Sequence, residues 1–392
     1  MKKKLTTAAI VVSLMIVIAT VIFPATVRDA FVAEFPRDDM VVAAEATTVR
    51  GTFDLTEPAD EVYSPTDGET TIESGVEFIP SDYIEYLKIS SPDTLTLSAI
   101  GDVTLASSYA KPYAGSFANL YDNYGADYFF ADVRHIFASD DITVANLECV
   151  LSDVDDPSRE TNSQYKYKGR EEFASVLVNG SIEVVNTLNN HTKDFSEAGY
   201  EDTLRALDLA GIDHFGNGRI SIKNVNGIKI GFISSIGVSA SESRLNGLAD
   251  QLRYLDSQGV TLKVVTFHWG EMGATSATAD QVKIAHSVID NGADLVLGHH
   301  PHVLQGIETY NGKYIAYSLG NFIFDGNVIS DIENRTSVIM QVKYTFRDGM
   351  ITGSELELIP VLVTSSNTYN NFRPCLAEGD MREEILRKIA ER

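Results

Sequence analysis

Seven short apolar runs constrain this chain most: TLTLSAI (94–100), ITVANL (142–147), IEVVNTL (182–188), IKIGFISSI (228–236), LKVVTF (262–267), DLVLG (294–298) and YIAYSLG (314–320). Their lengths suit strands, and helix-like stretches lie between them, so the alternation predicts an α/β domain from Pro92 to about residue 365. In 201–211, Leu204, Leu207 and Ala210 share one helix face and Gly211 supplies the stop. In 280–293, Val282, Ala285, Val288 and Ile289 form a second stripe that ends at Gly292. Six of the seven runs finish in polar, ligand-type residues: Gly101-Asp102, Asn146-Leu147-Glu148, Asn189-Asn190-His191, His268-Trp269-Gly270, His299-His300-Pro301-His302 and Ser318-Leu319-Gly320-Asn321. Open α/β sheets hold their sites outside the carboxyl ends of the strands, so this recurrence predicts one site on one edge.

As coordination chemistry, these ends offer two carboxylates, one Asn amide and three or four imidazoles. Four of the eight histidines, His268, His299, His300 and His302, fall within 35 residues. Mixed nitrogen and oxygen ligands suit Zn, Mn or Fe(II) better than calcium. They exceed the needs of one tetrahedral site and fit two divalent ions, the machinery of a hydrolase. Only two cysteines are present, Cys149 and Cys375, too few for a disulfide scaffold or a thiolate zinc site. Strand alternation turns Cys149 away from Glu148, which predicts a buried free thiol. Trp269 is expected to pack under the site, Asn189 to serve the backbone, and His135, His214 and His286 to be structural.

Charge and the first ninety residues say where such a domain would work. Asp and Glu number 55 against 31 Lys and Arg, a net charge of −24, which excludes a nucleic-acid reader with a basic face. Lys2, Lys3 and Lys4 precede an uncharged run, Leu5–Thr26, with a dense apolar centre at 8–23. Residues 1–26 therefore predict a membrane segment, either an anchor or a cleaved signal. No small-residue cleavage site follows closely, which favours the anchor, and the lysines place the rest of the chain outside the membrane. Residues 27–92 predict a flexible acidic linker. Its second half, GVEFIPSDYIEYLKI (75–89), is apolar enough to dock on the domain that follows.

The succession GDVTLASS, VANLECVLSD, TLNNHTKDF, FHWGE, LGHHPHVLQGIE and YSLGNFIFD resembles the CapA family of poly-γ-glutamate capsule synthesis proteins, itself similar to the calcineurin-like metallophosphoesterases. The resemblance covers roughly residues 93–365. It implies a four-layer α/β/β/α sandwich of the metallo-dependent phosphatase type, with residues 366–392 as a helical tail packed on it. It also implies that Asp102 and His302 hold a first divalent ion, that Asn190, His268 and His300 hold a second, and that Glu148 bridges them. His191 becomes the general acid. Asp194 either orients His191 or caps the helix near Ser196. His299 becomes a neighbour of the ligands. Two departures stand out: Thr104 occupies the place of a family histidine, and Glu271 follows Gly270 directly.

The function this implies is an outward-facing, single-pass membrane protein of capsule or poly-γ-glutamate biosynthesis with a two-metal (Mn, Fe or Zn) hydrolase site. Its partners would be poly-γ-glutamate or a related anionic surface polymer and membrane synthase subunits, with no nucleic acid. The alternatives are a non-catalytic polymer-binding or export subunit, which Thr104 favours, and a secreted phosphatase unrelated to capsule.

Overall fold

The first apolar run becomes the strand against which both flanks of its sheet register. The computed structural model describes residues 94–108, 113–156, 158, 160–161, 165–326 and 328–392. The expected membrane segment 1–26 and linker 27–92 lie outside them. In chain order the strands are β1 (Thr94–Val103), β2 (Ile142–Leu147), β3 (Val150–Leu151), β4 (Lys168–Gly169), β5 (Val184–Asn186), β6 (Asp213–Phe215), β7 (Ser221–Val225) and β8 (Ile228–Ile236). Then follow β9 (Leu262–His268), β10 (Leu295–His299), β11 (Ile307–Tyr310), β12 (Lys313–Ala316), β13 (Asn321–Ile323), β14 (Thr336–Arg347), β15 (Met350–Leu362) and β16 (Cys375–Leu376).

The fold is mixed α/β with more than one sheet. The larger sheet runs β16-β15-β14-β1-β2-β5-β6, with β13 also pairing β1; the other runs β11-β12-β10-β9-β8-β7. β1, β2, β5 and β6 are parallel, as are β8, β9, β10 and β12, so their carboxyl ends point one way within each sheet.

These strands read as continuous apolar runs because both faces are buried. Leu262 and Val264 of β9 join a cluster with Leu95, Leu97 and Ala99 of β1, which packs the two sheets together. Val265 and Phe267, at the alternate positions, join Leu252, Leu255, Ile284 and Val288 from the helices Glu242–Ser257 and Ala279–Asp290. Ile100, Ala145 and Val185 likewise meet Ala206 and Leu207 of the helix Ser196–Ala210. Each such side chain contributes about 1.5–3 kcal/mol when fully buried, so the period-two pattern fixes which face each residue takes.

Both expected crossover helices form. The first ends at Gly211 in the left-handed conformation, and the second opens with a capping box between Thr278 and Gln281. The segment after residue 365 is built into these layers: β16 pairs with β15, and Ile385 and Ile389 of the helix Gly379–Glu391 enter the inter-sheet cluster. Both cysteines are free, and burial pushes the Cys149 thiol up to about 12. Among the described residues no helix is long and apolar enough to cross a membrane.

Two glycines permit the close approach that assembles the polar edge. A Cβ on Gly101 would lie 2.0 Å from the Gly320 carbonyl oxygen, and one on Gly298 would lie 2.0 Å from that of Tyr317. Gly298→Ala is therefore expected to lower stability by about 1–3 kcal/mol or more. Gly247→Ala, in a helix where no atom stands within 4 Å of the new Cβ, should raise it by roughly 0.5–1 kcal/mol. Urea denaturation of both variants checks the pair; equal small shifts would contradict the close packing.

Candidate metal centre

The carboxyl ends of β1, β2, β9 and β10 and the loop after β5 bring the singled-out residues into one cluster. Asp102 and Asn146 are register partners on β1 and β2, and His268 and His299 are partners on β9 and β10. The chain then turns sharply. His300 and His302 take positive φ (98° and 59°), a conformation that costs side-chain-bearing residues energy and that recurs at functional sites.

Glu148 lies at the centre and is wholly buried. Neither of its carboxylate oxygens has a hydrogen-bond partner among the described residues. Around Oε1 stand His268 Nε2 at 3.5 Å, His302 Nε2 at 3.8 Å and His191 Nε2 at 3.9 Å. Asn190 Oδ1 is 2.5 Å from His268 Nε2, and His300 Nδ1 is 3.0 Å from the same nitrogen. On the other side, Asp102 Oδ2 lies 3.2 Å from His302 Nδ1, and Asp102 Oδ1 lies 3.3 Å from His299 Nδ1. Two groups, Asp102-Glu148-His268 and Glu148-His300-His302, have ligand atoms within 4.8 Å of one another and share Glu148. Ligands bound about 2.0–2.2 Å from one ion stand roughly 3–3.5 Å apart, so these groups need to close only slightly to hold a cation.

Electrostatics favours the same occupant. Burial, and then the charge of Asp102, pushes the Glu148 carboxyl well above the usual carboxylate range. Burial alone would also raise Asp102, but the His299 and His302 rings beside it outweigh that effect and hold the group well below its ordinary value. Burial lowers His268 strongly, and burial together with His302 lowers His300, so both rings tend to be neutral and offer lone pairs. A buried carboxylate whose oxygens find no partner among the described residues, close to the neutral rings of His268 and His300, fits a divalent cation.

Support comes from an amide layer. Asn146 Nδ2 donates to Asp102 Oδ1 at 2.8 Å, and Asn186 Nδ2 donates to Asn146 Oδ1 at 2.9 Å. Asn189, the expected backbone-serving residue, donates to the Leu147 carbonyl and accepts from the His191 amide. His191 Nδ1 is 2.7 Å from Asp194 Oδ2, which also accepts from the Tyr167 amide. Asp194 thus contacts His191, and no side chain caps the helix at Ser196. Trp269 packs under the site, stacked on Phe267 and donating to the Tyr317 carbonyl. Glu271 is exposed, while Thr104 Oγ1 donates to the Glu148 carbonyl and so turns to the backbone. A cleft of about 460 Å³ opens over His191, His300 and His302, walled by Tyr165, Tyr167, Met272, Phe324 and Asp325.

Asn186, Tyr167 and Phe324 were not read as site residues. Only Asn186 left a signal, as the one amide in the run IEVVNTL.

The sequence model of the bacterial capsule synthesis protein family PGA_cap matches residues 96–326. The chain belongs to this family. It is similar to the capsule biosynthesis protein CapA of Bacillus anthracis, 29% identical over 279 residues and aligned over 65% of each chain. Another relative is the PGA biosynthesis protein CapA of Bacillus subtilis (strain 168), 31% identical over 258 residues, covering 61% of this chain and 66% of that one. The chain spans just under two thirds of the length of these two relatives. The family match includes all eight clustered residues and stops before β14.

The raised Glu148 carboxyl has a pH consequence with a definite sign. Above the ordinary Glu value near ~4.3 the unfolded chain releases a proton that the native protein keeps, so this group's contribution to stability is lost as pH rises toward its native value. The lowered histidines act in the opposite sense, but only below about pH 6.5, where the unfolded rings still charge. With chelator present, as pH rises above about 6.5, the wild type should therefore lose melting temperature faster than Glu148→Gln. Adding a divalent metal should reverse their order. Parallel melting curves with and without metal would contradict the account.

Proposed function

We propose that this PGA_cap protein acts in the production of capsular or surface poly-γ-glutamate through a two-metal hydrolase site. The single observation that carries the reading is the buried Glu148 carboxylate, with both oxygens orphaned, at the meeting point of His191, His268 and His302. Asp102 and His302 would hold one ion, Asn190, His268 and His300 the other, and Glu148 both. The helix-sheet-sheet-helix layering of a metallo-dependent phosphatase belongs to the same reading. When bound, such ions polarise a phosphoryl or acyl oxygen and make hydroxide available near neutral pH.

The rest of the work falls to side chains. Asp194 holds His191 through Nδ1 and leaves Nε2 to give its proton to the leaving atom. Tyr167 sets its ring edge-on against His191, and Phe324 lies against His302, so both shield the centre from bulk water. The bond cleaved or transferred is a phosphoester or the γ-glutamyl amide. The names of the Bacillus relatives, which speak of capsule and PGA biosynthesis, support a place in production of the polymer. Residues 1–26 would anchor the chain and leave the domain outside the membrane, or release it if cleaved, with membrane synthase subunits as partners.

The second reading, a non-catalytic subunit that holds or exports polymer, draws on Thr104, whose hydroxyl is engaged by a backbone carbonyl instead of offering an imidazole to Asp102.

His191→Ala decides between them. In a deletion strain carrying the variant, the hydrolase reading expects polymer output and chain-length distribution to lose about 10²–10⁴-fold of the underlying activity, with bound metal retained. Polymer unchanged in amount and length would overturn catalysis and leave the binding subunit.

A further inference from the structure

Asn321 opens β13, is wholly buried, and is the register partner of Asp102. Its amide has only one way to face. Nδ2 lies 3.4 Å from the Asn334 carbonyl, which can only accept, so Oδ1 faces His302 Nδ1 at 3.0 Å. The other neighbour of that nitrogen, Asp102 Oδ2 at 3.2 Å, is also an acceptor. Two acceptors demand a proton on Nδ1, which leaves the lone pair on Nε2, the atom that faces Glu148 Oε1 at 3.8 Å.

We propose that Asn321 is a positioning residue that sets the tautomer of His302, keeping Nδ1 protonated and Nε2 free to bind metal. The proposal rests on the metal reading of the site and names a residue which that reading does not use. Metal-bound histidines characteristically donate their second ring nitrogen to such a partner, which fixes ring orientation. If Asp102 turns to a metal, Asn321 remains as the acceptor for His302.

The turn that carries the Asn334 carbonyl is itself anchored. Asn334 Nδ2 donates to Asp331 Oδ2 at 2.7 Å, and the neighbouring Glu333 pairs with Lys388 and Arg392, each at 2.7 Å. The C-terminal helix thereby fastens the turn whose carbonyl orients the Asn321 amide.

The test is nitrogen NMR of the imidazoles in the full chain, metal-free and zinc-loaded, beside zinc affinity by chelator competition. The wild type should show His302 protonated at Nδ1 in both states, with zinc on Nε2. Asn321→Leu should lose the single tautomer and bind zinc about 10–100-fold more weakly. Asn321→Asp, which keeps an acceptor, should keep the tautomer, and it carries the test if the Leu variant does not fold. A wild type protonated at Nε2, or a folded Leu variant with unchanged tautomer and affinity, overturns the proposal. A wild type that binds no zinc would instead overturn the metal reading, and the metal-free spectrum would still decide the role of Asn321.

Discussion

The desolvation of Glu148 is the constraint on which the polar edge of this molecule depends. A carboxylate without partners in a dry interior is costly, by several kcal/mol even after relaxation. The chain surrounds this one with imidazoles, of which burial keeps His268 neutral, and with a second carboxylate, Asp102, that would repel it. Such a centre is unfavourable by itself and favourable around a cation. The positive φ angles of His300 and His302 point the same way, since the chain accepts backbone strain to direct two adjacent imidazoles into one small volume.

The rest of the fold serves that placement. Strands buried on both faces give a rigid platform, and Gly101 and Gly298 let neighbouring backbones approach closely enough for Asp102 and His299 to meet across two sheets. The relay of Asn146, Asn186 and Asn189 then fixes the carboxylate and the β5 loop without adding charge. Neutral amides suit this position, because another ionisable group would deepen the charge imbalance at Glu148.

Much of this was legible in the sequence because burial on both faces writes itself as unbroken apolar runs, and because polar residues at strand ends have few other reasons to recur. Asp102, Glu148, Asn190, His191, His268, His300 and His302 stand at such strand ends, whereas Asp194 was singled out only through the family resemblance. The β14–β15 hairpin did not. Its outer strand is half-exposed and carries charge, so its pattern resembles solvated surface, although Asp348-Gly349, both at positive φ, is the kind of turn that joins such a pair. Tyr167 and Phe324 were invisible for a different reason: they reach the site from loops, where position depends on tertiary packing and leaves no periodicity. His299, which the motif alignment makes a neighbour of the ligands, stands against Asp102 and helps hold it below its ordinary value. Asn321, at the polar end of the last apolar run, is wholly buried, and its contact with His302 depends on tertiary packing.

The central claim is that the cluster around Glu148 is a metal centre. Elemental analysis of the purified full-length chain, wild type beside the His300→Ala, His302→Ala double variant, tests it most directly. The account predicts about two equivalents of Mn, Fe or Zn per wild-type chain and their loss in the double variant. A folded wild type that takes up no metal after reconstitution would contradict it.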